Sequence, residues 1–470
     1  MIELIKGKEV LVVGMARSGM AAVELLAEIG AAKITFTDQK QPGELEAELA
    51  RVAHYPTVTA VTGRNPSELV TTALSLVIKS PGVPPSLEMF TRARELKIPV
   101  LSEIELAYAF IKTPLVGVTG TNGKTTTTAL ITEILKEARF DPVVSAGNIG
   151  NPLSGLVGKI GSQGFIVAEL SSFQLEDIDT FRPAVAVFLN FAEDHIDYHG
   201  SVELYYRAKA RILENQTEND YAVLNAGDPA VASLQGKVRG QLLWFNRAPV
   251  PLGVGLEKEM VMFYKPGSKP SLICPRSEIA LPGEHNLENA LAASAAAWAV
   301  GADLQSIGNA LRSFRAIEHR LEHVVTLSDV DFINDSKGTN PGATIKALQS
   351  FAGKGKVLIA GGKDRGSDFS ELAAVIKQEV RSLLLIGETS AKIARAMEAI
   401  GFKNYQELKT LDEAVFAAWA EARPGEVVLL SPACASWDMF ANYEVRGNIF
   451  KELVHALKDQ ARNRGGGNDE

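Results

Sequence analysis

The amino-acid sequence predicts an α/β protein with largely parallel sheets, divided into three domains. Apolar strand segments alternate with helical segments from one end of the chain to the other, which is typical of parallel α/β sheets. A strand runs into a glycine turn at three separate places, near residues 14, 120 and 361. The length of 470 residues also exceeds what one hydrophobic core usually serves. We therefore expect a Rossmann-like domain over 1–102, a central domain over 103–317, and a second Rossmann-like domain over 318–470 that ends in a disordered tail, ARNRGGGNDE.

Composition restricts the class of protein and its partners. Apolar residues make up 46% and charged residues 22% of the chain, as in a soluble globular protein. The net charge is −8 and no basic run stands out, which argues against nucleic acid as a partner. The two cysteines, Cys274 and Cys434, lie far apart, and the N-terminus enters a strand directly. We expect a cytoplasmic protein without disulfides, signal peptide or membrane span.

The first domain carries three polar loops at the ends of predicted strands. One strand runs into a turn between Gly14 and Gly19, a second ends at Asp38, and a third ends at the loop 80–83. Because parallel strands end at one edge of the sheet, these loops should form a ligand crevice. The glycine spacing differs from the G-x-G-x-x-G of dinucleotide sites. An NAD site and a purely structural domain both stay open as alternatives.

The central domain contains the most informative segment, PLVGVTGTNGKTTTT at 114–128. A short strand leads into a glycine-rich turn and then a helix whose backbone N–H groups can bind phosphate. Gly120 and Gly123 let the backbone bend, Lys124 can reach the β- and γ-phosphates, and the Thr125 hydroxyl can ligate Mg²⁺. The segment predicts a site for ATP. Its predicted contacts are Gly120, Thr121, Asn122, Gly123, Lys124, Thr125 and Thr126.

Three more polar positions in this domain are candidates. Glu169 ends an apolar strand and could hold the Mg²⁺ that bridges two phosphates, although a solvated strand end is the alternative. The segment NFAEDHIDYHG clusters acidic residues with His195 and His199, but its spacing is not that of a helical zinc site. Lys209 lies on a predicted helix over 202–215, and the residue pattern alone favours a solvated surface lysine.

The compact form of the phosphate loop, TGTNGKTT, resembles that of the Mur ligases of bacterial cell-wall synthesis and of their folylpolyglutamate synthase relatives. Both groups use ATP to join an amino acid to a carboxylate. Near the C-terminus, SPACASWDMFANYEVRGNIF resembles the family members that add D-glutamate to UDP-N-acetylmuramoyl-L-alanine, whereas the Asp-Asn-Pro-Arg run of the diaminopimelate-adding members is absent. The resemblance extends from Lys8 to about Leu457. It implies a three-domain ligase, expected to be a monomer, that takes ATP, D-glutamate and this UDP-sugar.

The resemblance also implies roles for residues of the first two domains. Two Mg²⁺ ions are expected, with His195 as a ligand of the second and with Lys209 carbamylated by CO₂ to supply an oxygen ligand. Asn289 falls where the family binds adenine, and a helix cap by Asn286 is the structural alternative. The implied metal ligands are Thr125, Glu169, His195 and Lys209. The implied UDP-sugar contacts are Arg17, Ser18, Gly19, Asp38, Gln39, Lys40, Gly82 and Asn148.

In the third domain the resemblance assigns ATP and amino-acid contacts. Arg320 is expected at the ATP phosphates, and Asp335 and Lys337 are expected to reach into a cleft from a strand end. Many family members have lysine where this chain has Arg365, which changes the geometry of that contact. The implied D-glutamate contacts are Lys337, Thr339, Arg365, Ser436 and Tyr443. The implied catalytic residues are Lys124, Glu169, His195, Lys209 and Lys337.

Two other functions fit part of the sequence. A folylpolyglutamate synthase-like ligase would share the phosphate loop but has no need of the first domain or the SPACAS segment. A regulatory switch driven by a nucleoside triphosphate would need the phosphate loop alone. ADP release that depends on the sugar nucleotide and on D-glutamate would distinguish the ligase from both.

Overall fold

The computed structural model describes residues 1–148, 150–281, 283–314, 318–351, 353–364 and 366–465. Arg365, predicted to contact the amino acid, lies outside the described residues. Three separate sheets, each flanked by helices along the chain, organise the protein, and most strand pairs are parallel. The α/β fold class predicted from the sequence is confirmed.

The chain forms two compact units. The first comprises Met1–Ala280 and Asn286–Phe314, and the second comprises Leu281–His285 and Arg315–Glu470. The first unit contains a five-stranded and a nine-stranded sheet, and the second contains a six-stranded sheet. The boundaries of the three predicted domains stay a prediction, and residue 317 of the second boundary lies outside the described residues.

The strands of the first sheet are β1 Glu9–Val13, β2 Lys33–Thr37, β3 Val58–Val61, β4 Leu74–Lys79 and β5 Val100–Ser102. The strands of the second sheet are β6 Leu115–Thr119, β7 Val143–Gly147, β8 Phe165–Glu169, β9 Val185–Phe188, β10 Tyr221–Asn225, β11 Gln241–Asn246, β12 Gly253–Glu257, β13 Met260–Tyr264 and β14 Ser271–Pro275. The strands of the third sheet are β15 Glu322–Leu327, β16 Val330–Asn334, β17 Lys356–Ala360, β18 Ser382–Leu385, β19 Tyr405–Glu407 and β20 Val427–Leu430.

The α-helices are α1 Arg17–Ile29, α2 Glu46–Val52, α3 Glu88–Glu95, α4 Glu103–Tyr108, α5 Lys124–Glu137, α6 Ser172–Leu175, α7 Ile196–His199, α8 Val202–Ala210, α9 Pro229–Ala232, α10 Glu284–Ala299, α11 Leu304–Ser313, α12 Pro341–Gln349, α13 Ser370–Glu379, α14 Ser390–Ala399, α15 Leu411–Glu421 and α16 Tyr443–Gly465. Helix α16 continues five residues into the predicted tail, and residues 466–470 lie outside the described residues. Within the described residues, no helix is both long and apolar enough to cross a bilayer.

The first sheet is entirely parallel, in the order β3-β2-β1-β4-β5. The strand order reverses direction between β1 and β4, so the loops that follow these two strands diverge and leave a crevice at the carboxyl edge. A side chain at Gly19 would place its Cβ 1.9 Å from the carbonyl oxygen of Gly14. The turn into α1 therefore requires glycine at this position, which accounts for the spacing seen in the sequence.

The second sheet has the order β14-β13-β12-β11-β10-β9-β6-β8-β7, and only the β12–β13 and β13–β14 pairs are antiparallel. Strand β6 lies between β8 and β9, so the three loops that follow these strands meet at one edge. Helix α10 buries its alanine-rich run, as the composition of that segment predicts. Buried apolar residues from β6, β8, β9 and α4 join one core beneath the loops.

The third sheet has the order β15-β16-β20-β17-β18-β19 and is parallel except at β15–β16. Apolar side chains of β16, β17, β18 and β20 are buried in cores on its two faces. The loops after β16 and β20 leave the same edge because these two strands are parallel neighbours. Those loops carry the DSKGTN and SPACAS segments.

Candidate active site

The phosphate loop joins β6 to α5 and is shaped for an anion. Gly123 precedes α5 with φ of +83°, and a Cβ there would lie 2.2 Å from Oδ1 of Asn289, so only glycine fits. The Lys124 ammonium donates to the carbonyl oxygens of Gly120 (2.8 Å) and Thr121 (2.9 Å). The loop thus places a cation beside the N-terminus of a 14-residue helix, an arrangement suited to phosphate.

The loop after β9 supports the phosphate loop. The backbone N–H of Asn122 donates to Oδ1 of Asn190 (2.9 Å), and Nδ2 of Asn190 donates back to the carbonyl of Asn122 (3.1 Å). The Thr121 hydroxyl donates to the carbonyl of Ala192 (3.0 Å). Sequence reasoning did not select Asn190. The available signal was its position two residues after the buried strand β9. Its partner Asn122 lies 68 residues away in the sequence, so no local pattern indicated the contact.

Glu169 ends β8 with only 2% of its surface exposed, which excludes the solvated strand end considered as an alternative. Its Oε1 accepts a hydrogen bond from Nδ2 of Asn148 (2.8 Å). Its Oε2 is buried and has no hydrogen-bond partner among the described residues. An unpartnered buried carboxylate oxygen costs free energy. Because Mg²⁺ takes carboxylate oxygen ligands, this oxygen fits the predicted metal site.

Lys209 is 2% exposed, so the surface lysine predicted from its residue pattern is wrong. Its Nζ lies under the phosphate loop, where it donates to the carbonyl oxygen of Gly120 (2.9 Å) and lies 4.7 Å from the ring centroid of Tyr205. Burial and the neighbouring Lys124 charge lower the pKa of Lys209 well below its usual value. Tyr205, which sequence reasoning did not select, also bonds the Thr121 hydroxyl (3.2 Å).

His195 and His199 have different surroundings. His195 immediately precedes α7 with φ of +53°, and its Nε2 lies 3.7 Å from a carboxylate oxygen of Asp194. Nε2 of His199 bonds the hydroxyl of Ser172 (2.9 Å), and burial lowers the pKa of this histidine. Within the described residues, no group of three or more His, Cys, Asp or Glu side chains is arranged to hold a metal. A site that includes His195 would thus need ligands of another kind.

A cleft of about 140 Å³ lies between loops of the first and second sheets, both within the first compact unit. It brings together three of the predicted sugar-nucleotide residues, Arg17, Ser18 and Asn148. Gln174, which sequence reasoning did not select, also lines it. The full lining is Ala16, Arg17, Ser18, Pro81, Gly147, Asn148, Gly150, Pro152 and Gln174.

The other predicted sugar-nucleotide residues do not line this cleft. Both carboxylate oxygens of Asp38 accept backbone N–H groups, from Met15 (2.7 Å) and Lys40 (2.9 Å). Asp38 therefore holds the loop after β1 against the loop after β2. Gln39 and Lys40 are exposed at the second loop, and Gly82 turns the loop after β4 with φ of +84°. Their uracil and nucleotide contacts stay predictions.

Asn289 lies next to the phosphate loop. Its Oδ1 accepts from the Thr127 hydroxyl (3.3 Å), and its Nδ2 donates to Oδ1 of Asn286 (3.2 Å). Asn286 is the third residue of α10 and is buried, so the alternative in which Asn286 caps this helix is wrong. The adenine contact of Asn289 stays a prediction.

In the second compact unit, Asp335 follows β16 and turns inward. It is 4% exposed, accepts from the Ser431 hydroxyl (2.7 Å) and from the backbone of Leu321 (3.3 Å), and does not extend into a cleft as the sequence suggested. Burial raises the pKa of Asp335 to about 6, and the nearby Arg320 charge opposes this shift. Asp335 holds the loop after β16 beside Ser431, the residue that follows β20.

The predicted amino-acid residues come from loops that one buried arginine joins. Arg446 donates to the backbone carbonyl oxygens of Ser336 (2.8 Å), which precedes Lys337, and of Cys434 (3.3 Å), which lies within the SPACAS segment. The Lys337 ammonium lies 5.3 Å from the ring centroid of Tyr443. Ser436 is buried at 2% exposure, and Thr339 is half-buried in the loop after β16. Sequence reasoning did not select Arg446.

Comparisons with known proteins agree with these features. Residues 118–297 match the Mur ligase middle domain, and residues 319–434 match the family described as "Mur ligase, glutamate ligase domain". A protein named UDP-N-acetylmuramoylalanine--D-glutamate ligase from Pelotomaculum thermopropionicum is 46% identical over 96% of this chain and 98% of its own length. A protein of the same name from Geobacillus kaustophilus is 44% identical with the same coverage.

A solved structure shares the fold at low sequence identity. The MurF ligase from Thermotoga maritima, solved in complex with ADP, superposes with a TM-score of 0.57 at 16% identity and covers 99% of this chain and 97% of its own. The likeness therefore extends over all three sheets.

Proposed function

The chain belongs to the Mur ligase family, and from this membership we propose that it is an ATP-dependent ligase that joins D-glutamate to UDP-N-acetylmuramoyl-L-alanine. The observation that carries the proposal is 46% identity to a ligase of that name over 96% of the chain. The phosphate loop between β6 and α5 supplies the ATP site that such a reaction needs.

The reaction needs an activated carboxyl group. A carboxylate is a poor electrophile, so the γ-phosphoryl group of ATP is first transferred to the terminal carboxylate of the sugar nucleotide, which gives ADP and an acyl phosphate. The D-glutamate amine attacks the acyl carbon, phosphate leaves, and the amine loses a proton as the amide forms. Lys124 and the N–H groups of the phosphate loop stabilise the charge on the transferring phosphoryl group. Positioning and electrostatics supply the rate without a covalent bond to the protein.

Mg²⁺ would supply charge neutralisation at the phosphates. Thr125 and Glu169 would hold one ion, and the unpartnered Oε2 of Glu169 supports this assignment. His195 and a carbamylated Lys209 would hold a second. The Lys209 amine is suited to carbamylation because burial favours its neutral form, which attacks CO₂ and releases a proton to leave an anionic carbamate.

The sugar nucleotide would occupy the cleft lined by Arg17, Ser18 and Asn148. Because Asn148 also bonds Glu169, the carboxylate end of that substrate would lie near the metal and the phosphate loop. Asp38, Gln39, Lys40 and Gly82 lie on loops that would contact the nucleotide, and Gly19 would contact it from the first turn of α1.

D-glutamate would bind in the second compact unit. Lys337, Thr339, Ser436 and Tyr443 lie on the loops after β16 and β20 and at the start of α16, where Lys337 faces the Tyr443 ring. The Lys337 cation and the Ser436 hydroxyl are both groups that can bind a carboxylate. The ATP contacts of Arg320 and Asp335 stay predictions, and the buried Asp335 would serve by holding the loop after β16 beside Ser431.

A product assay tests the function. Purified protein with ATP and Mg²⁺ should release ADP only when UDP-N-acetylmuramoyl-L-alanine is present with D-glutamate, and L-glutamate should not replace the D-isomer. ADP release with a folate and glutamate would favour the folylpolyglutamate synthase alternative. ADP release that needs neither substrate would favour the nucleotide-driven switch. The cytoplasmic location and the monomeric state stay predictions.

A further inference from the structure

A buried lysine outside the proposed catalytic set joins the first two sheets. Lys79 is the last residue of β4 and is 2% exposed. Its ammonium lies 2.6 Å from a carboxylate oxygen of Asp177 and 3.1 Å from one of Glu176, both in the segment after α6. It also donates to the hydroxyl of Tyr198 (3.0 Å) on α7. Although burial opposes the charge, the two carboxylates and Tyr198 hold the pKa of Lys79 above its usual value.

Tyr198 extends this cluster in two directions. Its hydroxyl donates to the carbonyl oxygen of Val83 (3.0 Å), so the loop 80–83 is fixed at both of its ends. The Tyr198 ring packs on Phe173, with 4.3 Å between centroids, and the same Phe173 ring lies 4.9 Å from the ring of His195. The contacts of Lys79 therefore reach the segment that carries the proposed metal ligand.

The same contacts join two parts of the cleft lining. Pro81, in the loop directly after Lys79, lines the cleft from the first sheet, and Gln174 lines it from the second. Glu176 follows Gln174 by two residues and is paired with Lys79. The ion pair thus ties one wall of the cleft to the other.

We propose that Lys79 is a positioning residue that holds the loop 80–83 against α6 and α7, and so sets the width of the sugar-nucleotide cleft and the placement of His195. The role of the cleft rests on the function proposed above. Lys79 itself touches neither substrate nor metal in this role. Its removal breaks the ion pairs that join β4 to Glu176 and Asp177 and leaves Arg211 as the other cation acting on Asp177, so the two segments are no longer held together by this charge.

The first measurement is hydrogen exchange on the full-length protein without ligands. Lys79→Met should raise the exchange of the 80–83 and 195–200 segments together, and Lys79→Arg, which keeps the charge, should lie nearer to wild type. The double variant Lys79→Met/Asp177→Asn restores the wild-type net charge of the cluster, because one carboxylate is removed with the lysine, and it keeps the test valid if the single variant folds poorly. Lys356→Met is the matched control, because Lys356, on β17 of the third sheet, is also buried and pairs with Glu379 of α13 (2.8 Å).

The second measurement is calorimetric binding of UDP-N-acetylmuramoyl-L-alanine without ATP or Mg²⁺. We expect Kd to rise about tenfold in Lys79→Met and in the double variant, since preorganisation of the cleft is lost, and to change less than twofold in Lys356→Met. The KM for D-glutamate should not change. Unaltered exchange in both segments, or a Kd within twofold of wild type in both Lys79→Met variants, would overturn the proposal. If wild-type protein does not bind the sugar nucleotide but exchange rises in both segments, the positioning role stands and the proposed function fails.

Discussion

The nitrogen of Lys209 is surrounded by groups that decide its protonation. It is buried below Gly120, and the positive charge of Lys124 adds to the desolvation that lowers the pKa of Lys209. The carboxylates of Asp194 and Glu169 oppose this shift without overcoming it. The neutral amine is the form that reacts with CO₂, so this burial supports the carbamylation proposed for Lys209.

We predict that Lys209→Arg abolishes ligation while the protein stays folded, because a guanidinium keeps its proton and forms no carbamate. Wild-type protein in ¹³C-bicarbonate should show a carbamate carbon signal by NMR that the variant lacks. Lys356→Arg, at another buried lysine, should keep both the signal and the activity. A fully active Lys209→Arg protein would contradict the assignment.

Glu169→Gln should raise the Mg²⁺ concentration for half-maximal ADP formation at least tenfold, because a neutral amide is a weaker ligand for a hard cation than a carboxylate. The test is a Mg²⁺ titration at saturating ATP. Glu426→Gln is a suitable control, because that buried carboxylate, just before β20, pairs with Arg381, just before β18. If half-saturation is unchanged in Glu169→Gln, then Glu169 only anchors Asn148.

The sequence predicted the candidate residues of the site more completely than their surroundings. A glycine-rich loop carries its own local signature, so Gly123 and Lys124 could be selected from the residues alone. The burial of Lys209 could not, since it depends on a contact with Gly120, 89 residues away. Only the resemblance to a family indicated that this lysine differs from a surface lysine.

At the level of elements, strands were predicted more closely than helix ends. The strands predicted to lead into Asp38 and to end at Glu169 are β2 and β8, because continuous apolar runs bounded by polar residues define buried strands. The helix predicted over 202–215 ends as α8 at Ala210 and continues as one 3₁₀ turn. There Arg211 donates to the carbonyl oxygens of Glu176 and Ile178, a tertiary contact that no local pattern encodes.

Helix α4 holds the first sheet to the second through two buried carboxylates. Glu105 accepts the backbone N–H groups of Asp179, Thr180 and Phe181 at 2.8–2.9 Å. Oε1 of Glu103 accepts from the backbone of Ser154 (2.6 Å), while its Oε2 is buried without a partner among the described residues. Burial raises the pKa of Glu103 to about 7. Helix α4 therefore carries a carboxyl group that the folded state prefers to keep protonated.

Glu103→Gln should remove part of the pH dependence of stability. The pKa of Glu103 in the folded state, about 7, lies above the ordinary value of 4.5. Between these two pH values the folded protein therefore binds more protons than the unfolded chain. The contribution of Glu103 to the free energy of unfolding is fully present below pH 4.5 and is lost as pH rises through 7. The difference is up to about 3 kcal/mol. Thermal midpoints from pH 5 to 8 should fall less steeply in Glu103→Gln. Parallel curves for the two proteins would refute this.

At the scale of the whole molecule, the residues proposed for each substrate come from different sheets. The loops after β6, β8 and β9 provide the ATP and metal residues of the first unit, and the loops after β16 and β20 provide the amino-acid residues of the second. Sequence periodicity predicted the sheets. It could not assign a ligand to the third one, because neither Ser436 nor Tyr443 belongs to a pattern with a general chemical meaning.

This division predicts that the kinetic effects of substitutions separate by substrate. Ser436→Ala removes a hydroxyl proposed to bond a carboxylate of D-glutamate, and such a charge-assisted bond contributes roughly 1.5–3 kcal/mol. The KM for D-glutamate should therefore rise about tenfold or more, with the KM for ATP unchanged. Lys124→Ala should instead reduce kcat by about 10²-fold or more, through lost stabilisation of the transferring phosphoryl group. Ser382→Ala, at a buried serine bonded to Glu421 in the third sheet, controls for general loss of packing. If Ser436→Ala weakened ATP or the sugar nucleotide and spared D-glutamate, the loop after β20 would not bind the amino acid.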